Sequence, residues 1–233
     1  MNIQILHMVE GAKAARGLTV IIDVFRAFTV ETYLMRNHAE RIIPVGNVQF
    51  AYDYKKEHPD TILCGEREGV IIDGFDFGNS PSQLEHVDLT GKTVIHTTSA
   101  GTQGIANATG ADEIITGSLV NAKAIAEYIK RKNPATVSLV CMGLMAEAQT
   151  EEDNLCADYI KSLLEDAPMP NIYEEMDKLK QTSGAKFFDP AQQNIFPERD
   201  FHLCVQLNSV DFVLRLTEDT ATGLKYMQCV DVL

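Results

Sequence analysis

Short apolar segments rich in β-branched residues recur along this chain, and segments with helical spacing separate them. Continuous apolar runs of this kind are typical of parallel strands that are buried on both faces of a sheet. The pattern therefore predicts an α/β protein. Its predicted strands include residues 19–23, 41–45, 61–64, 93–96, 113–116 and 137–141.

The helical spacing lies mainly between these strands. The predicted helices are residues 25–35, 48–57, 121–132 and 151–164, with a short helix after the segment TTSAGTQG. Pro134 ends the helix that precedes it, and Thr150 with Asp153 forms an approximate capping box before the last helix. In its last quarter the chain is more polar and less regular, and we expect strands at residues 201–207 and 226–232 to complete the structure.

Length and composition agree with one folded domain over residues 1–233. The chain is 45% hydrophobic and 23% charged, which supplies a core and excludes a disordered protein. No apolar run approaches the ~18 residues of a membrane-spanning helix, and the N-terminal segment lacks the pattern of a secretion signal. We therefore expect a cytoplasmic protein that does not contact membranes.

The charge is strongly acidic, with 33 Asp and Glu against 20 Lys and Arg and a net charge of −13. A surface of this sign repels phosphate backbones, which argues against nucleic-acid binding. The five cysteines are widely spaced and include no C-x-x-C pair, so we expect reduced, mostly buried thiols. The sequence leaves the oligomeric state open, although homodimers are common among acidic enzymes of this size.

Four segments with candidate chemistry follow predicted strands. Ligands of open α/β sheets collect beyond the carboxyl ends of strands, where helices begin. The segments are DVFRAFTV (23–30), GEREG (65–69), TTSAGT (97–102) and CMGLMAEAQTEEDN (141–154). For each of them a structural interpretation stays open: a tight turn, a surface ion pair, or acidic residues that favour the dipole of a helix start.

The residue types in these segments suit an anion with a cation beside it. A carboxylate at residue 23 next to Arg26 can bind a cation on one side and an anion on the other. Small and hydroxyl residues at 98–102 let backbone N–H groups converge on a phosphate or sulfonate. Carboxylates of the fourth segment can ligate Mg²⁺. The chain has no P-loop lysine and no G-x-S-x-G or H-E-x-x-H motif, and His96, inside a strand, is interpreted as a packed, hydrogen-bonded ring.

Taken in this order, DVFRAFTV, GEREG with GFDFGNSP after it, and TTSAGTQGI resemble the 2-phosphosulfolactate phosphatase family. The similarity covers nearly the whole chain, including the late segment FPERDFHLCVQLNSVDFV. The resemblance implies a three-layer α/β/α fold with a mostly parallel, mixed central sheet. It also implies a Mg²⁺-dependent phosphatase that hydrolyses (R)-2-phospho-3-sulfolactate to 3-sulfolactate and phosphate in coenzyme M biosynthesis.

The resemblance assigns site residues position by position. Catalytic roles fall on Asp23, Arg26, Glu66 and Arg67, and substrate contacts on Thr29, Asn79, Ser80, Thr98, Ser99, Gly101 and Thr102. The small, highly anionic substrate needs positive charge around it. We therefore expect Asp23, Glu66 and one of Glu152 or Asp153 to hold Mg²⁺. Arg67 and the 99–102 loop would bind phosphate, and Arg26 the sulfonate or carboxylate.

Two alternatives stay open beside this interpretation. One is a phosphatase of the same fold that acts on another small phosphorylated acid. The other is a non-catalytic α/β protein that binds an anion or uses these residues in salt bridges. The attacking group is open as well: metal-bound water, or Asp23 or Ser99 forming a phosphoenzyme.

Overall fold

Ten strands and eight α-helices make up residues 1–232, the part of the chain that the computed structural model describes. The strands are β1 (Asn2–His7), β2 (Gly17–Ile22), β3 (Arg41–Pro44), β4 (Ile62–Arg67), β5 (Val70–Ile71), β6 (Thr93–Thr97), β7 (Ala111–Gly117), β8 (Thr136–Cys141), β9 (Phe212–Glu218) and β10 (Lys225–Asp231). The helices are α1 (Met8–Ala14), α2 (Ala27–Arg36), α3 (Val48–Glu57), α4 (Gly101–Asn107), α5 (Ala122–Lys132), α6 (Glu151–Leu164), α7 (Ile172–Lys178) and α8 (Glu198–Cys204).

The strands form one mixed sheet in the order β1-β8-β2-β7-β9-β10-β3-β6-β4-β5. Strands β1, β8, β2 and β7 run parallel to one another, and so do β3, β6 and β4. The antiparallel hairpin of β9 and β10 joins these two parallel blocks. Helices cover both faces, which confirms the three-layer α/β/α fold with a mostly parallel central sheet.

The twist of the sheet brings the carboxyl ends of the two parallel blocks toward each other. Three antiparallel pairings separate β7 from β3, so the blocks run in opposite senses across the hairpin. Adjacent strands rotate by roughly 20–25° relative to each other. Over the five steps from β2 to β6 this rotation exceeds a right angle, and it turns the carboxyl ends of the two blocks toward each other.

Helix α2 packs against both blocks. Nine of its ten residues are buried, which is typical of a helix surrounded by protein on all sides. Its Val30 and Leu34 belong to the same core cluster as Ile21 of β2 and Ile42 of β3. Each apolar side chain buried in this way contributes about 1.5–3 kcal/mol, so the N-terminus of α2 is firmly held where the two blocks meet.

The opposite face of β2 is covered by other helices. Val20 and Ile22 pack in a second core cluster with Ile125 of α5 and Ile160 of α6. All six residues of β2 are buried, as the apolar run in the sequence predicts.

Most predicted elements are confirmed. The helices predicted at residues 48–57 and 151–164 have the same bounds in α3 and α6. The six early strand predictions correspond to β2, β3, β4, β6, β7 and β8, and the last one to β10. Strand β4 continues to Arg67, so the first three residues of GEREG belong to a strand and not to a turn.

The strand predicted at residues 201–207 is wrong, because Glu198–Cys204 form α8. Phe201 and Cys204, three positions apart on one helix face, are both buried. The pattern also fails to predict β1 and β9. Strand β1 lies at the edge of the sheet and its first residues alternate between exposed and half-buried, so it lacks the continuous apolar run of the other strands.

The capping box expected at the start of α6 is also wrong. Thr150 makes no side-chain capping hydrogen bond with any described residue. Asp153 instead accepts the N–H groups of Val24 and Gly143, each at 2.8 Å. Its carboxylate thus connects the loops that follow β2 and β8, which is a tertiary contact and not a local one.

The cysteine prediction is confirmed. All five are free thiols, and Cys64, Cys141, Cys156 and Cys204 are buried. Within residues 1–232, no helix combines the length and apolarity that crossing a membrane requires.

The contacts of Asp153 lead to a stability prediction. Asp153→Ala leaves the buried N–H of Val24 and the part-buried N–H of Gly143 without an acceptor, so we expect the free energy of unfolding to fall by about 2–4 kcal/mol. Urea unfolding at pH 7 measures this loss. The matched control is Asp158→Ala on the exposed side of the same helix, which should change stability by less than about 0.5 kcal/mol. Equal effects of the two substitutions would contradict the role assigned to Asp153.

Candidate active site

A cavity of about 250 Å³ lies where the loops after β2, β4, β6 and β8 meet. Each of the four segments singled out in the sequence contributes to its lining. The predicted site residues that line it are Asp23, Arg26, Glu66, Asn79, Thr98, Ser99, Glu152 and Asp153. Segments far apart in the chain therefore converge on one concave site, which is the arrangement that ligand binding requires.

Asp23 lies just after β2, at the point where the chain enters α2. Its Oδ1 accepts the N–H of Ala27 at 3.1 Å, and its side chain is 7% exposed. Burial, together with the nearby carboxylates of Glu66 and Glu152, raises the pKa of Asp23 to about 7. A carboxylate held in this state gains strongly from any cation that binds beside it.

Hydrogen bonds of Glu66 connect the end of β4 to the loop after β6. Its Oε1 accepts the N–H of Ser99 at 2.7 Å, and its Oε2 accepts the N–H of Gly69 at 2.7 Å and the hydroxyl of Ser99 at 3.1 Å. Because both oxygens already accept hydrogen bonds from the protein, Glu66 shapes the phosphate-binding loop that the sequence predicts.

Arg67 lies outside the lining of this cavity, contrary to the expectation that it binds phosphate. Successive side chains of a strand point to opposite faces, so Glu66 and Arg67 cannot both face the cavity from β4. The Arg67 guanidinium donates to the carbonyl of Gly46 at 3.1 Å and to the hydroxyl of Thr97 at 2.9 Å. It braces the neighbouring loops.

Arg26 lines the cavity, but its charge is already paired. Its guanidinium forms a buried ion pair with Asp200 at 2.8 Å and donates to the carbonyl of Ile195 at 2.9 Å. It also lies 4.8 Å from the ring centroid of Phe196, a cation–π contact. Asp200 was not among the predicted site residues, because nothing in the local sequence of α8 shows which side chain it meets.

Four residues expected to contact substrate lie outside the lining that the described residues form: Thr29, Ser80, Gly101 and Thr102. The three hydroxyls bond to the protein instead, to the Val24 carbonyl at 2.9 Å, the Asp200 carboxylate at 2.9 Å and the Thr98 carbonyl at 3.0 Å respectively. A Cβ on Gly101 would lie 2.9 Å from the Phe28 ring and 3.1 Å from Asp23 Oδ2. These residues position the site rather than line it.

Lys186 is a lining residue that sequence reasoning missed. It lies 5.1 Å from the ring centroid of Phe196 and has no ion pair with a described residue within 4.0 Å. Burial lowers the pKa of Lys186, and the carboxylate of Glu152 offsets part of this effect. Lys186 sits in an irregular polar segment, where the sequence gives no signal that separates it from a surface lysine.

Glu152 and Thr150 bring unsatisfied oxygens to the cavity. Glu152 Oε2 and Thr150 Oγ1 are buried and have no hydrogen-bond partner among residues 1–232. Burial raises the pKa of Glu152, and the charge of Lys186 offsets part of the shift. Buried oxygens without partners are costly, so this corner of the cavity favours a ligand that supplies positive charge or hydrogen-bond donors.

The predicted metal ligands differ in whether their oxygens are free. Within residues 1–232, no three His, Cys, Asp or Glu side chains form a preassembled metal-binding group. Both carboxylates of Glu66 and Asp153 are occupied by N–H groups, whereas Asp23 and Glu152 have free oxygens. Mg²⁺ is usually held by one or two carboxylates plus water and substrate phosphate, and this donor set fits that pattern.

His96 behaves as interpreted from the sequence. Its ring is fully buried in β6, and both nitrogens have partners, Glu31 Oε1 at 3.1 Å and Asn79 Oδ1 at 3.2 Å. Asn79 in turn lines the cavity.

This chain is similar to known proteins over most of its length. The family model described as 2-phosphosulpholactate phosphatase matches residues 4–219. A "Probable 2-phosphosulfolactate phosphatase" from Bacillus subtilis is 30% identical over 88% of this chain and 90% of its own length. Proteins of the same name from Carboxydothermus hydrogenoformans and Clostridium acetobutylicum are 33% and 36% identical, over 91% and 76% of this chain and 92% and 72% of their own.

The raised pKa of Asp23 generates a prediction about stability and pH. An unfolded Asp ionises near 3.8, whereas Asp23 in the folded protein holds its proton up to about pH 7. The folded state therefore binds more protons between these values, and Asp23 makes stability fall as the pH rises through them. In EDTA, Asp23→Asn should match wild type at pH 4 and exceed its free energy of unfolding by up to about 4 kcal/mol at pH 8.

Urea unfolding of both proteins at several pH values measures the difference. Asp158→Asn, an exposed control, should show no such trend. A difference that stays constant from pH 4 to pH 8 would contradict the raised pKa.

Proposed function

This chain belongs to the 2-phosphosulfolactate phosphatase family, and from that premise we propose that it hydrolyses (R)-2-phospho-3-sulfolactate to 3-sulfolactate and phosphate with Mg²⁺. We place this reaction in coenzyme M biosynthesis, in the cytoplasm. The convergence of the family-like motifs on one cavity of about 250 Å³ supports a small phosphorylated acid as substrate.

The charge of the cavity supports the Mg²⁺ requirement. Its lining holds five carboxylates, Asp23, Glu66, Glu68, Glu152 and Asp153, against the two cations Arg26 and Lys186. Arg26 is already neutralised by Asp200. A substrate with phosphate, carboxylate and sulfonate groups is repelled by such a surface, so a divalent cation is needed to reverse the local charge.

Asp23 and Glu152 are the residues that would hold Mg²⁺, because their free oxygens face one cavity and neither carboxylate is fully satisfied by the protein. When bound, the ion would neutralise charge on the phosphoryl oxygens and lower the pKa of a bound water. Its binding would also remove the cost of ionising Asp23.

Protein groups around the phosphoryl position would orient the substrate. The first N–H groups of a helix have no partner within that helix, and Ala100, next to the start of α4, lines the cavity. Lys186 brings an ammonium group with three N–H donors. Its lowered pKa suits it to give a proton to the leaving alkoxide as the ester P–O bond breaks, while an incoming water supplies the new P–O bond.

Attack by water fits the contacts better than attack by a side chain. The Ser99 hydroxyl donates to Glu66, but both oxygens of that carboxylate already accept backbone N–H groups, so Glu66 is poorly placed to take the Ser99 proton. Asp23 Oδ1 accepts the N–H of Ala27, and the carboxylate is proposed to hold Mg²⁺, so its oxygens are engaged by the backbone and would be engaged by the ion. Trapping ³²P on the protein from labelled substrate would overturn the water mechanism.

The direct test is phosphate release from (R)-2-phospho-3-sulfolactate. We expect turnover with Mg²⁺, none after EDTA, and recovery when Mg²⁺ is added back. A panel of other small phosphorylated acids accompanies it, and a faster reaction with one of these would replace the substrate but keep the phosphatase. No release from any of them, with phosphate still bound by the protein, would favour the non-catalytic anion-binding alternative.

The proposed role of Lys186 as proton donor predicts that catalysis depends on its ammonium group. Lys186→Met keeps the length and apolar contacts of the side chain but removes the ammonium group, and we expect kcat to fall by about 10²–10⁴-fold. The control is Lys180→Met, an exposed lysine of the same segment paired with Asp177, which should retain wild-type kcat. Unchanged kcat in Lys186→Met would exclude Lys186 as the proton donor.

A further inference from the structure

A buried polar chain runs from the core to the cavity. It consists of Glu31 of α2, His96 of β6 and Asn79 in the loop before a short 3-10 turn. Glu31 and His96 are fully buried, and Asn79 is 6% exposed. Glu31 Oε1 lies 3.1 Å from His96 Nδ1, and His96 Nε2 lies 3.2 Å from Asn79 Oδ1. Of these three residues, Asn79 is the one that lines the cavity.

The hydrogen bonds fix where the protons lie. An amide oxygen only accepts, so His96 Nε2 must carry a hydrogen to bond to Asn79 Oδ1. The other ring nitrogen, Nδ1, lies 3.1 Å from Glu31 Oε1, and Glu31 Oε2 accepts the hydroxyl of Thr116 at 3.2 Å. The Glu31 carboxyl group therefore fixes the orientation of the ring, and Nε2–H donates to Asn79.

This arrangement determines which end of the Asn79 amide faces the ligand. With Oδ1 turned toward His96, the Nδ2 hydrogens have no acceptor among residues 1–232 and lie on the cavity side. A neutral ring with a bare Nε2 would instead accept from Nδ2 and turn Oδ1 into the cavity. In a space that already holds five carboxylates, another acceptor would repel an anion.

We infer that Glu31 and His96 are positioning residues, which hold the Asn79 amide so that its NH₂ group donates to an oxygen of the bound phosphoryl or sulfonate group. This inference rests on the proposed function of the cavity as an anion site. The buried hydrogen bond between Glu31 and His96 thus supports substrate recognition through Asn79, although neither Glu31 nor His96 lines the cavity.

Nitrogen NMR of the protein labelled with ¹⁵N-histidine tests the protonation state directly, without reference to activity. The His96 ring is assigned through contacts of its protons with Ile95 and Thr97. We expect His96 Nε2 to show the resonance of a protonated nitrogen in the wild-type protein. A bare Nε2 would overturn the inference, because the Asn79 amide would then turn Oδ1 toward the cavity.

Phosphate binding by calorimetry in the presence of Mg²⁺ then tests the consequence. Glu31→Leu removes the hydrogen-bond partner that fixes the ring, and we expect the Kd for inorganic phosphate to rise about 10- to 100-fold. Asn79→Asp, which replaces the donor by an acceptor, should weaken phosphate at least as much. The control is Thr116→Val, which removes the other hydrogen bond to Glu31 but keeps its contact with His96, and should leave both the His96 signals and the Kd unchanged.

The outcomes separate the two proposals. If the wild-type protein binds no phosphate, the proposed function fails, and the NMR result still decides whether His96 Nε2 carries a hydrogen. If wild type binds phosphate and a folded Glu31→Leu binds it equally well, the positioning role is overturned and the pair is only structural. If Glu31→Leu does not fold, Asn79→Asp decides, because an unchanged Kd there would show that the amide does not donate to the anion.

Discussion

The burial of carboxylates around one small cavity is the constraint on which the rest of the site depends. An ionised carboxylate away from water is costly unless charge or hydrogen bonds compensate it. The chain brings several of them together from the loop before α2, from β4 and from α6. Each carboxylate therefore needs a specific hydrogen-bond or charged partner. These partners connect loops from distant parts of the chain.

The buried carboxylates differ in how they are compensated. Backbone N–H groups satisfy Glu66 and Asp153, and each of these contacts links the ends of two strands. A guanidinium satisfies Asp200 at the back of the cavity. Burial raises the pKa values of Asp23, Glu152 and Asp153. Of these three, Asp23 and Glu152 keep oxygens without hydrogen bonds from the described residues, and we propose that they bind Mg²⁺ and, through it, an anionic substrate. The stability of the loops and the chemistry of the site thus have the same electrostatic origin.

The fold makes this concentration of charge geometrically feasible. Two parallel blocks joined by an antiparallel hairpin would place their strand ends at opposite edges of a flat sheet. The accumulated twist and the buried helix α2, which packs on both blocks, bring the ends together instead. A rigid position for Asp23 and Arg26 at the entrance to α2 follows from the tight packing of that helix.

The sequence by itself determined the α/β class, most strands and helices, and the four segments that form the cavity. It could do so because strand burial, helical periodicity and strand-end position are local properties of the chain. Which side chains face the cavity was decided by tertiary structure. The alternation of β4 turns Arg67 away, the pairing of Arg26 with Asp200 joins residues 174 positions apart, and Lys186 reaches the site from a segment with no regular pattern. Tertiary structure likewise decided that Glu198–Cys204 form helix α8, where the sequence predicted a strand at residues 201–207. It also decided that Asp153 accepts N–H groups from two loops and does not complete a helix cap. In each case a contact between residues distant in the chain set the outcome, and the energies of such contacts depend on burial and distance that local sequence does not contain.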